Sequence, residues 1–140
     1  MKTLYTAEAL ATGEGRDGHG RTSDGKLDLD LAIPKEMGGS GNGTNPEQLF
    51  AVGYAACFHS ALRLVAGQQK ADVSDSAVGA RVSLGQLDNG GFGLAVELEV
   101  TLPNLDHEAA QQLAEQAHQV CPYSNATRGN IDVKLTVTDD

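Results

Sequence analysis

Tryptophan is absent, and three Tyr and three Phe supply every aromatic ring in the 140-residue chain. That scarcity excludes a broad stacking platform for bases. Basic residues are also few. Lys and Arg total 10 against 19 Asp plus Glu, giving a formal net charge of −9. Phosphate binding needs clustered Lys and Arg, so no nucleic-acid partner is expected. The longest uninterrupted apolar run, Leu49–Phe58, is ten residues long, too short to span a bilayer, and no membrane partner is expected. Glu8 interrupts the segment where a signal peptide would need a continuous apolar stretch. A cytoplasmic location is the expectation.

Cysteine is nearly as scarce. Cys57 and Cys121 stand 64 residues apart, which excludes a multi-bridge secreted scaffold. With His19, His59, His107 and His118 they form no zinc-finger spacing, and no metal site is expected. Two readings of the pair stay open: buried thiols acting as small apolar residues, or one redox couple. Forty per cent apolar residues suffice for a core, and the length suits one domain over residues 1–140.

Residues 3–10 (TLYTAEAL) carry β-favouring side chains, and Lys26–Ile33 (KLDLDLAI) alternates polar with apolar as a half-buried strand does. Ser23-Asp24-Gly25 predicts a hairpin turn before it. Residues 38–43 (GGSGNG) read as a short flexible loop. Thr44-Asn45-Pro46-Glu47 marks a helix start, either with Asn45 as cap and Pro46 first in the helix, or with Thr44 and Glu47 closing a capping box. That helix is expected to run to about Val65 or Gly67. Over Leu49–Phe58 it is apolar on all sides, so a second subunit is expected to cover what one sheet cannot. Ala77–Leu87 and Phe92–Leu102 flank Asp88-Asn89-Gly90-Gly91 as an antiparallel hairpin. Asp106–Val120 reads as a second helix, stopped by Pro122, and Ile131–Val137 as a closing strand. The order βββ-α-ββ-α-β predicts an α+β fold.

Four residues could carry chemistry, and each has a plain structural alternative. Cys57 sits mid-helix with Gly53 and Ala61 one turn away on either side, beside a Phe50/Tyr54/Phe58 stripe; both thiol and stripe also suit a core. Cys121 precedes Pro122, where a helix exit would let a thiol swing, or it is an incidental loop cysteine. Arg16, in GEGRDGHG, is either a solvated cation or one that stabilises a thiolate. Glu47 is either a helix-start carboxylate or the group that holds such an arginine. Ten residues of helix separate Glu47 from Cys57 by about 15 Å, so a site shared between two subunits is favoured.

Together, TNPEQLFAVGYAACF (Thr44–Phe58), VCPYSNATRGN (Val120–Asn130) and Arg16-Asp17-Gly18 resemble the organic hydroperoxide resistance (Ohr) family of the OsmC/Ohr group, over essentially the whole chain. The resemblance implies antiparallel sheets packed around two central helices in an intertwined homodimer. It also implies that Cys57 is the peroxidatic cysteine, Cys121 the resolving one, Arg16 the thiolate-stabilising cation and Glu47 its partner. The implied substrate is an organic hydroperoxide, reduced without metal or cofactor and with a dithiol, lipoyl-type reductant carried on lipoylated proteins. A non-enzymatic redox-sensing or apolar-ligand-binding dimer is the alternative.

Overall fold

A computed structural model describes residues 1–138, and the chain divides into two compact units. The first, Met1–Leu49, holds an antiparallel three-stranded sheet ordered β1 (Ala9–Thr12), β2 (His19–Thr22), β3 (Asp28–Asp30). The first strand lies further along the chain than residues 3–10. Ladder partners decide it: β2 is four residues long and reaches back from Thr12 only to Ala9. Asp24 makes the predicted hairpin turn, its carboxylate accepting from the Lys26 amide at 3.0 Å and the Thr22 hydroxyl at 2.7 Å. The third strand is shorter than its alternation suggested, because beyond Asp30 the chain makes only a single parallel bridge, Leu31 to Thr44.

The glycine-rich segment 38–43 is not a free loop. The amides of Gly38, Gly39 and Gly41 donate to the carbonyls of Lys35, Pro34 and Ile33, which fold the segment back on the preceding turn.

The second unit begins at Phe50, inside helix α1 (Pro46–Gln69), whose 24 residues outrun the expected end at Gly67. Lys70 stops it by turning left-handed, with φ 56°. At this length α1 meets the size and composition of a membrane span, which the ten-residue apolar run had understated. One face of it, however, is protein core. Tyr54, Phe58, Leu62 and Val65 are buried with Val96, Leu98 and Val100 of β5 (Phe92–Thr101) and with Leu113, Ala114 and Ala117 of α2 (His107–Val120).

β4 (Ala77–Gln86) pairs antiparallel with β5 from Ala77↔Thr101 to Gln86↔Phe92, as the Asp-Asn-Gly-Gly turn requires. Asp106 caps α2, its carboxylate accepting from the Ala109 amide at 2.8 Å. The α+β class holds, with one difference from a wholly antiparallel pattern. The closing strand β6 (Val133–Thr138) runs parallel to β5. A parallel neighbour needs a long crossover, and α2 followed by α3 (Pro122–Thr127) provides it.

Candidate active site

In the first unit, a single turn of 3₁₀ helix, Gly15–Asp17, carries Arg16. The turn is held at its far side: the Asp17 carboxylate accepts from the Ile33 amide at 2.9 Å, and the Gly18 carbonyl from the Leu31 amide at 2.9 Å. Gly18 has no substitute there, because a Cβ would run into the Thr12 carbonyl. Arg16 therefore projects from a fixed loop. Its two terminal nitrogens meet the two oxygens of Glu47 at 2.8 and 2.7 Å, the parallel fork that Arg and carboxylate form best. The bonds from Arg16 hold the Glu47 carboxyl below its ordinary range despite partial burial, and Glu47 in turn raises the guanidinium.

Glu47 is free for this because the capping box is not used. Asn45 is the cap, its side-chain oxygen accepting from the Gln48 amide at 2.9 Å, with Pro46 first in the helix.

The second unit brings the two cysteines together. Both are free thiols, and Cys121 Sγ lies 3.6 Å from Cys57 Sγ. Cys57 is half-buried and Cys121 fully buried. A disulfide needs about 2.05 Å between sulfurs, so bonding requires an approach of about 1.5 Å.

The position of Cys121 corrects the idea of a swinging thiol at a helix exit. Pro122 does end α2, yet it also opens α3 at the first helical position, where its missing N–H costs nothing. Cys121 is the joint between two helices, its amide donating to the Ala117 carbonyl at 2.8 Å and its carbonyl accepting from Asn125 at 3.0 Å. Its extended backbone, φ −59° and ψ 123°, is the geometry favoured before proline.

Burial pushes the Cys57 thiol above its ordinary pKa, and the neighbouring Cys121 thiol adds to this. The lowering influence is the backbone N–H of Tyr123, directed at the sulfur.

The Phe50/Tyr54/Phe58 stripe is largely core: Tyr54 and Phe58 are wholly buried, and Phe50 is half-buried. Phe50 and Tyr54 share a cluster with Tyr123, whose ring centroid is 5.8 Å from Phe50 and 5.6 Å from Tyr54. Gly53 admits that ring, since a Cβ there would sit 3.0 Å from the Tyr123 hydroxyl.

Sequence reasoning passed over a set of polar groups on the helices that carry or flank the two cysteines. The Tyr54 hydroxyl lies 2.9 Å from Ser124 Oγ and 3.1 Å from Thr127 Oγ1, and Ser124 Oγ lies 2.7 Å from His118 Nδ1. The available signal was a tyrosine in an otherwise apolar helix, because a buried phenol needs a polar partner. A surface hollow of about 740 Å³ beside Leu10, His19 and Arg21 is lined by none of the four candidate residues. Among the described residues no group of three or more His, Cys, Asp or Glu is placed to hold a metal.

With the geometry established, comparison with known proteins gives a consistent answer. A family model described as OsmC-like protein matches residues 39–136. An organic hydroperoxide resistance protein of Xanthomonas axonopodis pv. citri is 54% identical over 138 residues, 97% of this chain and 96% of its own length. The crystal structure of an organic hydroperoxide resistance protein from Elizabethkingia anophelis, with thiocyanate bound, superposes with a TM-score of 0.95 at 55% identity, covering 100% of both chains. That of the organic hydroperoxide resistance protein OhrB of Bacillus subtilis matches at 0.88 and 49% identity, covering 97% of this chain and 100% of its own.

Proposed function

The chain belongs to the OsmC/Ohr family, and from that premise we propose that it is a cysteine-based peroxidase for organic hydroperoxides. The observation that carries this reading is the pair of reduced sulfurs 3.6 Å apart, one partly open and one enclosed. The Cys57 thiolate attacks one peroxide oxygen and the O–O bond breaks. The alkoxide takes a proton and leaves as the alcohol, and Cys57 becomes a sulfenic acid. Cys121 then displaces the sulfenic oxygen as water, forming the Cys57–Cys121 disulfide. A dithiol of lipoyl type returns both thiols by exchange, and its own sulfurs end as a disulfide.

In this reading Phe50 and Tyr123, whose ring centroids lie 5.8 Å apart, give the open side of Cys57 an apolar rim. Each methylene buried there contributes about 0.8 kcal/mol, which favours alkyl hydroperoxides over hydrogen peroxide. The test is consumption of cumene hydroperoxide by reduced protein, with a dithiol and with a monothiol. Many turnovers with the dithiol support an enzyme. Stopping at one peroxide per site would make it a sensor.

The thiolate needs a cation, because burial favours the neutral thiol. In this reading Arg16, held by Glu47, supplies the charge to Cys57 within a homodimer. The dimer is proposed from α1, where Val52 is 71% exposed and Leu64 55% exposed although both lie in an apolar helix. Two antiparallel copies of α1 crossing near Val52 and Gly53 would bring Glu47 of one copy toward Cys57 of the other. Gly53 is taken by the ring of Tyr123, which shifts the expected crossing onto Val52. Light scattering at micromolar concentration should give twice the chain mass; a monomer with native helix content overturns the dimer.

Arg16→Ala should raise the Cys57 pKa, so that alkylation and peroxide reduction slow near pH 7. Both should recover as the pH rises, because the thiolate then forms without help. Glu47→Ala should act in the same direction and more weakly, by loosening Arg16. A pH–alkylation profile in Arg16→Ala that coincides with the wild type would remove the arginine from this role.

A further inference from the structure

The peroxidase reading leaves unused the buried hydroxyls of Tyr54, Ser124 and Thr127. Tyr54 lies three residues before Cys57 on α1, and Ser124 three residues after Cys121 on α3. Both are fully buried, and Thr127 nearly so. Burial and the nearby Arg128 charge lower the His118 pKa, so its ring is neutral near pH 7 and one of its two nitrogens accepts. In the tautomer that carries the ring hydrogen on Nε2, Nδ1 accepts the one Ser124 hydrogen and Ser124 accepts from the Tyr54 hydroxyl. The Thr127 hydrogen lies between the Tyr54 oxygen at 3.1 Å and the Ser124 carbonyl at 3.2 Å. Every buried side-chain polar atom described is satisfied.

Apolar packing around this set is non-directional, whereas hydrogen bonds fix distance and angle. The set ties together the two segments that carry Cys57 and Cys121. We infer that buried Tyr54 and Ser124, with half-buried His118, form a clamp that sets the separation of the two sulfurs, and thereby the partition of the Cys57 sulfenic acid between disulfide and further oxidation. The two fates compete directly. Attack by Cys121 releases water and gives the disulfide; a second hydroperoxide instead adds its oxygen to sulfur, leaving a sulfinic acid and an alcohol. The first route depends on sulfur-to-sulfur distance, and the second does not. These are positioning residues, and the inference rests on the peroxidase reading above.

The test follows one turnover of reduced protein with cumene hydroperoxide, acid-quenched and read by mass spectrometry, alongside peroxide loss. Tyr54→Phe and Ser124→Ala should consume the first peroxide at the wild-type rate. Disulfide formation should slow about tenfold, the weight of one lost hydrogen bond, and sulfinic acid should appear on Cys57 under excess peroxide. Thr127→Val keeps the Tyr54–Ser124 bond and should slow the disulfide step by less. If Tyr54→Phe does not fold, the order of Ser124→Ala below Thr127→Val below wild type carries the test, and its absence overturns the clamp. Wild-type disulfide rates in Tyr54→Phe and Ser124→Ala, or an equal loss of the peroxide step in both, also overturn it. A wild type that consumes peroxide but never forms the disulfide overturns the peroxidase reading instead.

Discussion

On the proposed peroxidase reading, Cys57→Ser should end dithiol-dependent peroxide reduction, leaving only the background reaction of dithiol with peroxide. The chemistry demands an atom that is nucleophilic near neutral pH and can accept oxygen. Sulfur does both; a serine hydroxyl is scarcely ionised there and forms no analogue of the sulfenic acid. The fold should survive, because serine is nearly the same size and Cys57 is only half-buried on a 24-residue helix. The serine hydroxyl can accept from the same Tyr123 amide that faces the thiol. Peroxide consumption and circular dichroism on the same sample make the check. Native helix content with substantial remaining turnover would take Cys57 out of the reaction.

The elements with strong local signals were legible in the sequence. Alternation and the Asp-Asn-Gly-Gly turn located the β4–β5 hairpin to within a residue at its outer ends, and Asp106 located the start of α2. The direction of β6 was not legible, since alternation has the same period in parallel and antiparallel strands. Residue 121 misled for a related reason: proline after it signals that one helix stops, and is equally compatible with another starting there.

The site shows the same divide. Arg16 and Glu47 each had a plain surface role, and nothing local joins residues 31 apart in sequence; their pairing emerges only once the glycine-rich loop is folded. Residue types alone left all four candidates open. The long motifs around Cys57 and Cys121 singled them out by resemblance, and the fold places the two sulfurs 3.6 Å apart. The Tyr54 hydroxyl went unnoticed because the ring satisfied the apolar pattern, which conceals the one polar atom it carries.

Cys121→Ser should react once with hydroperoxide and then stall. The first step uses only Cys57, so one equivalent of peroxide is still consumed per chain. Resolution needs a second sulfur, and serine cannot provide it. The stranded sulfenic acid is then open to excess peroxide, which carries it to sulfinic acid. Mass spectrometry should find a Cys57–Cys121 linkage in the oxidised wild type, and added oxygen on Cys57 with no linkage in the variant. Sustained turnover with dithiol should fall sharply and decay as sulfinic acid accumulates. The geometry also bears on how much the protein must move. Cys121 is buried at a helix–helix joint with its amide and carbonyl both bonded, and the sulfurs need close only about 1.5 Å. The wild-type disulfide should therefore form within one chain, with little change in helix content. A disulfide only between subunits, or none at all, would show that Cys121 is not the resolving thiol; dithiol would then have to attack the sulfenic acid directly.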